Sequence, residues 1–495
     1  MKKKLLLLGL LLCTITFYNC NDDPESSDSS IMPEETSNDS EDQDTSTSGE
    51  VRVVITTPDE NSKLRELPNQ LPFTDQNTGS ITITVDEFDT AQTIEGFGGA
   101  LTGSSAFLLN NNTEALNELF SENGIRLSYT RLTVGASDFN RNGSYTYNEI
   151  TSGEDLNLDQ FSINEDFTNN NPIIPVAQNI ISINNEMKFK AAPWTAPRWM
   201  KNNNSFNGGS LQSQYFSVYA DYLVKYLEEY QNNGITIDAI STQNEPLFEN
   251  NSYPTMKMTA QEQIAFIGSH LGPALENSNV NPIIIGYDHN FRESEDPNFP
   301  NTLLSDPVVA SFTNSIAYHA YAGQPSDIDA LRAQFPDVNI YFTEQSGIQN
   351  AGTTFQGEID FFMKTIFTGT LRRGAKTILL WNLALDENGG PRNGGCQVCR
   401  GILTIDSSGN YVKNVDYYIL GHFSKYVDAG AQVISTNSLQ GVLENVAFKN
   451  PDGSKVLVVY NSSNDNNPQD LNVNVGDRNF KYLIPRGALV TFKWN

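Results

Sequence analysis

Ile235-Thr-Ile-Asp-Ala-Ile-Ser-Thr-Gln-Asn-Glu-Pro246 is a β-rich run that ends in a carboxylate and is halted by proline. Asn339-Ile-Tyr-Phe-Thr-Glu-Gln-Ser-Gly347 repeats the arrangement, with Gly347 close behind the carboxylate. Each reads as a buried strand. A carboxylate at the C-terminal end of such a strand points into the mouth of a sheet or barrel, where charge has a solvent-facing task. Glu245 and Glu344 are therefore the candidate working residues, and two carboxylates at one mouth are the minimal set for cleaving a glycosidic bond.

Working outward, the same theme of β-rich run, polar or aromatic loop and helical pattern recurs. Thr93-Ile-Glu-Gly-Phe-Gly-Gly-Ala100, Leu127-Ser-Tyr-Thr-Arg-Leu-Thr-Val134 and Lys188-Phe-Lys-Ala-Ala-Pro-Trp-Thr195 come before the first carboxylate run. Asn281-Pro-Ile-Ile-Ile-Gly-Tyr-Asp288, Ser315-Ile-Ala-Tyr-His-Ala-Tyr-Ala322 and Lys376-Thr-Ile-Leu-Leu-Trp-Asn-Leu383 surround the second. Glu245 thus closes the fourth run and Glu344 the seventh. Between the runs, Gln214 to Tyr230 sets Tyr215, Tyr219, Leu223, Tyr226 and Tyr230 on one helical stripe, with Gly234 placed to end it. Thr259-Ala-Gln-Glu262 is a capping box opening a helix through Ile264, Ile267 and Leu271. Strands alternating with helices over residues 93–430 predict an α/β fold, a (β/α)8 TIM barrel. The ends differ: residues 51–92 and 431–495 hold short β-rich runs with turn signals at Asn450-Pro-Asp-Gly453 and Pro485-Arg-Gly487. Neither end suffices for a stable sheet, so they are expected to form one β-sandwich beside the barrel from both termini.

Composition narrows the function. Apolar residues at 38% suffice for a packed core, while a formal net charge of −28 argues against nucleic acid as a partner. No glycine-rich phosphate loop stands beside a lysine and no GxSxG elbow appears, which disfavours nucleotide and serine-hydrolase chemistry. Met1-Lys-Lys-Lys-Leu-Leu-Leu-Leu-Gly-Leu-Leu-Leu-Cys13 has a basic start and a short apolar core, so residues 1–19 read as a secretory signal. Phe17-Tyr-Asn-Cys20 resembles the loose lipobox of Bacteroidetes-type lipoproteins, which implies lipidation of Cys20 and a lipid anchor to the outer membrane, at the cell surface or facing the periplasm. Residues 20–50 are acidic and nearly devoid of apolar groups, the composition of a disordered tether. Processing leaves Cys396 and Cys399. Cys-Gln-Val-Cys without a second pair or a nearby histidine cannot complete a zinc site and closes a small loop as a disulfide, with two free thiols as the alternative.

Six segments carry a family resemblance: Gly96-Phe-Gly-Gly-Ala-Leu-Thr102, Ala192-Pro-Trp-Thr-Ala-Pro-Arg-Trp-Met-Lys201, Gln243-Asn-Glu-Pro246, Tyr318-His-Ala-Tyr321, Phe342-Thr-Glu-Gln-Ser-Gly347 and Leu380-Trp-Asn-Leu-Ala-Leu385. In this order they resemble glycoside hydrolase family 30, which includes the glucocerebrosidases. The resemblance implies a retaining double displacement with Glu245 as general acid/base and Glu344 as nucleophile; no cofactor is expected, and a monomer is the expected state. In that scheme the carboxyls stand about 5 to 5.5 Å apart, and the charge of Glu344 helps Glu245 hold its proton. It implies further that Asn244 bonds the sugar 2-hydroxyl, that Arg131 pairs with or orients Glu344, and that Asp138, Trp194 and Trp381 grip the sugar, core packing being the other role open to the tryptophans. Tyr321 is the expected partner of Glu344; His319 is either a sugar ligand or a satisfied structural histidine.

Tyr318-His-Ala-Tyr-Ala-Gly323, Thr343-Glu-Gln-Ser-Gly347 and Gly395-Cys-Gln-Val-Cys-Arg-Gly-Ile402 are similar to the endo-β-1,6-glucanase branch, which implies a β-glucan polysaccharide as substrate. The alternatives are an exo-acting β-glucosidase, a glucosylceramidase, or, without catalysis, a surface glycan-binding lipoprotein. Asp138-Phe-Asn-Arg-Asn-Gly-Ser-Tyr-Thr-Tyr-Asn-Glu149 also fits the EF-hand loop pattern. It follows a strand run and stands alone, so no metal is expected there.

Overall fold

The computed structural model describes residues 50–75, 79–350 and 352–495. The expected signal peptide 1–19, the lipidation site Cys20 and the tether up to residue 49 lie outside the described residues. Among those described, no helix is long and apolar enough to cross a membrane.

Eight parallel strands close into a barrel: Gly96–Leu101, Tyr129–Val134, Lys188–Pro193, Ala239–Ser241, Ile283–Asn290, Ser315–His319, Asn339–Glu344 and Ala375–Leu380, the eighth pairing back onto the first. Their residues are buried almost without interruption because side chains fill the inside and helices cover the outside. The fourth strand is shorter than the run beginning at Ile235 suggests. Ile235 and Ile237 are buried ahead of it, and Asp238 accepts the Phe189 backbone N–H at 2.8 Å, so this stretch anchors the strand without extending it.

The helices follow their sequence signals with one departure. Phe216–Asn232 buries Tyr219, Leu223, Tyr226 and Tyr230 on one stripe, entered through a 3₁₀ turn at Ser213–Tyr215 and followed by Gly234 at φ +78°. Thr259 and Glu262 form the reciprocal capping box of Ala260–Phe266. The helix then widens into a π turn over Ile267–Leu271 before Gly272–Glu276, a local change that side-chain periodicity does not signal.

Both ends of the described chain contribute to a nine-stranded sheet. Arg52–Thr56 pairs antiparallel with Leu489–Trp494, while Ile81–Thr93 lies between Gln432–Thr436 and Gln469–Val475. Apolar side chains from both parts of the sheet, among them Val53, Val490, Ile83, Val473 and Phe480, meet in one buried cluster separate from the barrel's, so the sheet folds over itself as a sandwich. The helix Val415–Ser424 joins the two units: buried His422 contacts Thr491 Oγ1 through Nδ1 and Thr56 Oγ1 through Nε2, both at 2.8 Å.

The EF-hand-like segment does not converge on a point. Asp138 faces the barrel mouth, Asn142 bonds Glu165 at 2.6 Å, and Glu149 pairs with Arg198 at 2.7 Å. Tyr145 and Tyr147, from the same segment, and Tyr230 from the long helix all donate to buried Asp166 at 2.6 Å. This knot fixes the loop that carries Asp138.

Candidate active site

The strand ends leave a cavity of about 620 Å³ at the C-terminal mouth of the barrel, within the range of small-ligand sites. Asp138, Trp194, Asn244, Glu245, Tyr321, Glu344 and Trp381 line it. Arg131 and His319 stand behind this wall, both fully buried.

Backbone geometry aims these groups. Glu245 at φ +46° and Asp288 at φ +64° occupy the left-handed region that non-glycine residues rarely adopt, as do Tyr287, next to Asp288 on the fifth strand, and Asn382, just past the eighth. The Glu245 backbone N–H donates to the Asp288 carbonyl at 3.0 Å, which ties the fourth strand end to the fifth. Register shifts interrupt the pairing of the fifth and seventh strands with the sixth beside Asp288 and Glu344. Such bulges re-aim side chains at a barrel rim.

Arg131 holds the constellation from beneath. Its Nη1 donates to Glu344 Oε2, and its Nη2 donates to Asn244 Oδ1 at 2.6 Å and to Asp288 Oδ2 at 3.2 Å. Its guanidinium lies 4.9 Å from the Trp194 ring and 5.4 Å from the Trp381 ring, and the two indoles stack at 5.1 Å. The tryptophans therefore serve as wall and packing at once. Tyr321 donates to Glu344 Oε1 at 3.0 Å, so the two oxygens of Glu344 receive separate donors. With its oxygen committed to Arg131, Asn244 keeps its NH₂ for a sugar hydroxyl.

Behind the wall, His319 Nδ1 meets Glu245 Oε1 at 3.1 Å and Nε2 meets Asp288 Oδ1 at 3.2 Å. Burial alone would lower its pKa, but the charge of Glu344 and the hydrogen bonds to Asp288 and Glu245 outweigh it and raise His319 to about 9. Asp288 also accepts from Lys190 at 2.6 Å and from Thr343 at 2.6 Å. Burial opposes its charge, yet Lys190 and Arg131 hold it well below the usual carboxylate range. Lys190 is itself brought down to about 7 by burial. Glu245 moves the other way: burial first and the charge of Glu344 next raise its pKa, against the pull of His319. Asp138 is raised well above its usual range by burial and by the charges of Glu344 and Glu245.

One oxygen of Glu245, one of Glu344 and one nitrogen of His319 lie within 4.8 Å of one another. That spacing could seat a cation, but both His319 nitrogens already meet carboxylates and Arg131 occupies Glu344. The same spacing puts the two carboxyls at the separation of a nucleophile and an acid/base acting on one bond.

Residues 94–427 match the Glycosyl hydrolase family 30 TIM-barrel domain, and residues 430–492 match the Glycosyl hydrolase family 30 beta sandwich domain. The chain belongs to glycoside hydrolase family 30. It is similar to the endo-1,6-beta-D-glucanase neg1 of Aspergillus fumigatus, 33% identical over 413 residues that cover 77% of this chain and 81% of that protein. The lysosomal acid glucosylceramidase of Mus musculus is 30% identical over 437 residues, 81% of each chain. The solved structure of the endo-β1,6-glucanase BT3312 superposes with a TM-score of 0.82 at 30% identity, covering 90% of this chain and 99% of that one. This family 30 chain is a glycoside hydrolase.

Three members of its charge network were absent from the sequence reading. Asp288 ends a strand run as Glu245 and Glu344 do, so the signal that singled out those two applied to it as well. Lys190 is a cation inside a buried run, which demands a partner without naming it. Nothing in the sequence distinguishes Thr343 from any strand threonine. Cys396 and Cys399 are joined in a disulfide on the cavity wall, beside the short pairing of Gly347–Ile348 with Cys399–Arg400.

If Glu245 is the general acid it works only while protonated, and its pKa is raised, so kcat/KM is expected to hold through mildly acidic pH and fall as pH rises past a value above the ordinary 4.5. A pH–rate profile whose alkaline limb lies at or below that value contradicts the assignment. Glu344→Gln is expected to abolish turnover in a protein that still folds, with some loss of melting temperature as Arg131 loses a charged partner, because an amide of the same shape cannot attack the anomeric carbon. Mass spectrometry of wild type treated with a slow 2-fluoro-glucoside then finds the sugar on Glu344; a label elsewhere contradicts the assignment.

Proposed function

We propose that this chain is an endo-acting β-1,6-glucan hydrolase working with retention through a glucosyl-enzyme on Glu344. The observation that carries the reading is the approach of Glu245 and Glu344, with oxygens within 4.8 Å at the base of the cavity. Inverting enzymes separate their carboxyls by about 6.5 to 9.5 Å to admit a water, and the approach of one oxygen from each of these two supports the shorter, retaining spacing.

Glu344 attacks the anomeric carbon while Glu245 gives its proton to the departing glycosidic oxygen. Forming the ester removes the charge of Glu344, one of the causes that keep Glu245 protonated, so Glu245 then takes a proton from the water that cleaves the ester. Arg131 and Tyr321 hold Glu344 in line, and Asn244 meets the sugar beside it. The relatives named as endo-1,6-β-glucanases support the linkage. The small Ala320 between His319 and Tyr321 supports an open rim, with room beside the pocket for a chain that continues past the cleaved bond. We also propose that the enzyme is exported and anchored by a lipidated Cys20 at the outer membrane, on the basis of the signal-like segment and acidic tether alone.

On a linear β-1,6-glucan, polymer length is expected to fall early with a spread of short oligosaccharides, and cellobiose to be a slow substrate because it forfeits binding energy from remote sugars. Release of glucose alone with chain length barely changed indicates exo action; rapid hydrolysis of glucosylceramide indicates a lipid substrate. Cys20→Ser is expected to move the protein out of washed membranes with its specific activity unaltered, measured by fractionation and assay. Retention of that variant in the membranes rules out Cys20 as the anchor.

A further inference from the structure

Glu245 hands its proton to the leaving oxygen, so groups beside it on the open side of the cavity face the leaving sugar. Two aromatic rings, Phe248 and Tyr253, line the cavity with it. Phe248 follows the acid by one turn, its backbone N–H donating to the Glu245 carbonyl at 2.9 Å, and its side chain is 38% exposed. Tyr253 runs nearly parallel to it, with 27° between the planes and 6.3 Å between ring centroids. Rings this parallel and this far apart are offset, giving a stepped aromatic surface on the cavity wall instead of a closed stack. Neither ring belongs to the buried apolar clusters, so packing does not account for them.

The loop that presents them is rigid by construction. Buried Lys201 donates to Thr195 Oγ1 at 2.7 Å, to the Thr255 carbonyl at 3.0 Å and to the Phe206 carbonyl at 3.2 Å, joining three segments of the rim. Asn250 Oδ1 accepts the backbone N–H groups of Ser252 and Tyr253 at 2.7 and 3.0 Å. Gly394 comes so near that a Cβ there would stand 2.2 Å from the Ser252 carbonyl oxygen. A surface already ordered spends little of its contact energy on being held still.

We propose that Phe248 and Tyr253 form a leaving-side sugar platform, receiving the apolar face of the second glucosyl ring of a glucan chain. The proposal rests on the glucanase reading above. A stepped aromatic face suits a pyranose ring, and the polar Gln397 on the same cavity suits its hydroxyls better than a lipid tail.

The test compares β-glucosyl fluoride, whose leaving group carries no sugar, with β-1,6-, β-1,3- and β-1,4-linked glucotrioses and with glucosylceramide in wild type, Phe248→Ala and Phe248→Trp. For whichever trisaccharide wild type cleaves fastest, the ratio of its kcat/KM to that on the fluoride is expected to fall about tenfold in Phe248→Ala and to recover in Phe248→Trp. An unchanged ratio overturns the platform, whether both substrates lose activity equally or neither does. Loss confined to glucosylceramide, with the trisaccharide spared, assigns the surface to lipid and also overturns it. The β-1,6 reading fails separately, if another linkage is the fastest in wild type.

Discussion

The buried guanidinium of Arg131 is the contact on which the site depends. It reaches Glu344, Asn244 and Asp288 at once from the second strand, so one rigid fork sets residues of the fourth, fifth and seventh strands in register. A cation this deep is tolerated only because its acceptors are charged or strongly polar and equally fixed. Its guanidinium lies against Trp194 and Trp381, which line the cavity, so the same contacts that make the charge tolerable also shape the pocket.

Around Arg131 the charges alternate. Asp288 lies between Lys190, Arg131 and His319, and His319 lies between Asp288 and Glu245. Each carboxyl therefore has a different surrounding: cations hold the pKa of Asp288 down, while burial and the charge of Glu344 push those of Glu245 and Asp138 up. Separating the pKa values of neighbouring carboxyls by environment is what lets one of them donate a proton while another attacks.

The barrel supplies this arrangement by concentrating irregular backbone where its strands end. Glu245, Tyr287, Asp288 and Asn382 all adopt left-handed conformations there, held by pairings such as that of the Glu245 N–H with the Asp288 carbonyl. The sandwich stands away from the chemistry. It packs through His422 and Arg372, the latter bonding Thr436 Oγ1 at 2.7 Å and the Asn445 carbonyl at 3.0 Å, and it closes the described chain by pairing Arg52–Thr56 with Leu489–Trp494.

The alternation of β-rich runs with helical stripes carried the barrel in the sequence itself, because burial on both faces writes apolar runs and helical packing writes a 3.6-residue period. Carboxylates at strand ends likewise marked Glu245 and Glu344, since a charge ending a buried run must face the mouth. What tertiary structure alone decided is how those groups are partnered. Asp288 carries the same strand-end mark, but its tie to Lys190, Arg131, Thr343 and His319 joins residues 55 to 157 positions away, 31 in the case of His319. Distances of that kind leave no local period or spacing. They are set by the closure of the barrel, which brings strand ends remote in the chain within reach of a single hydrogen bond.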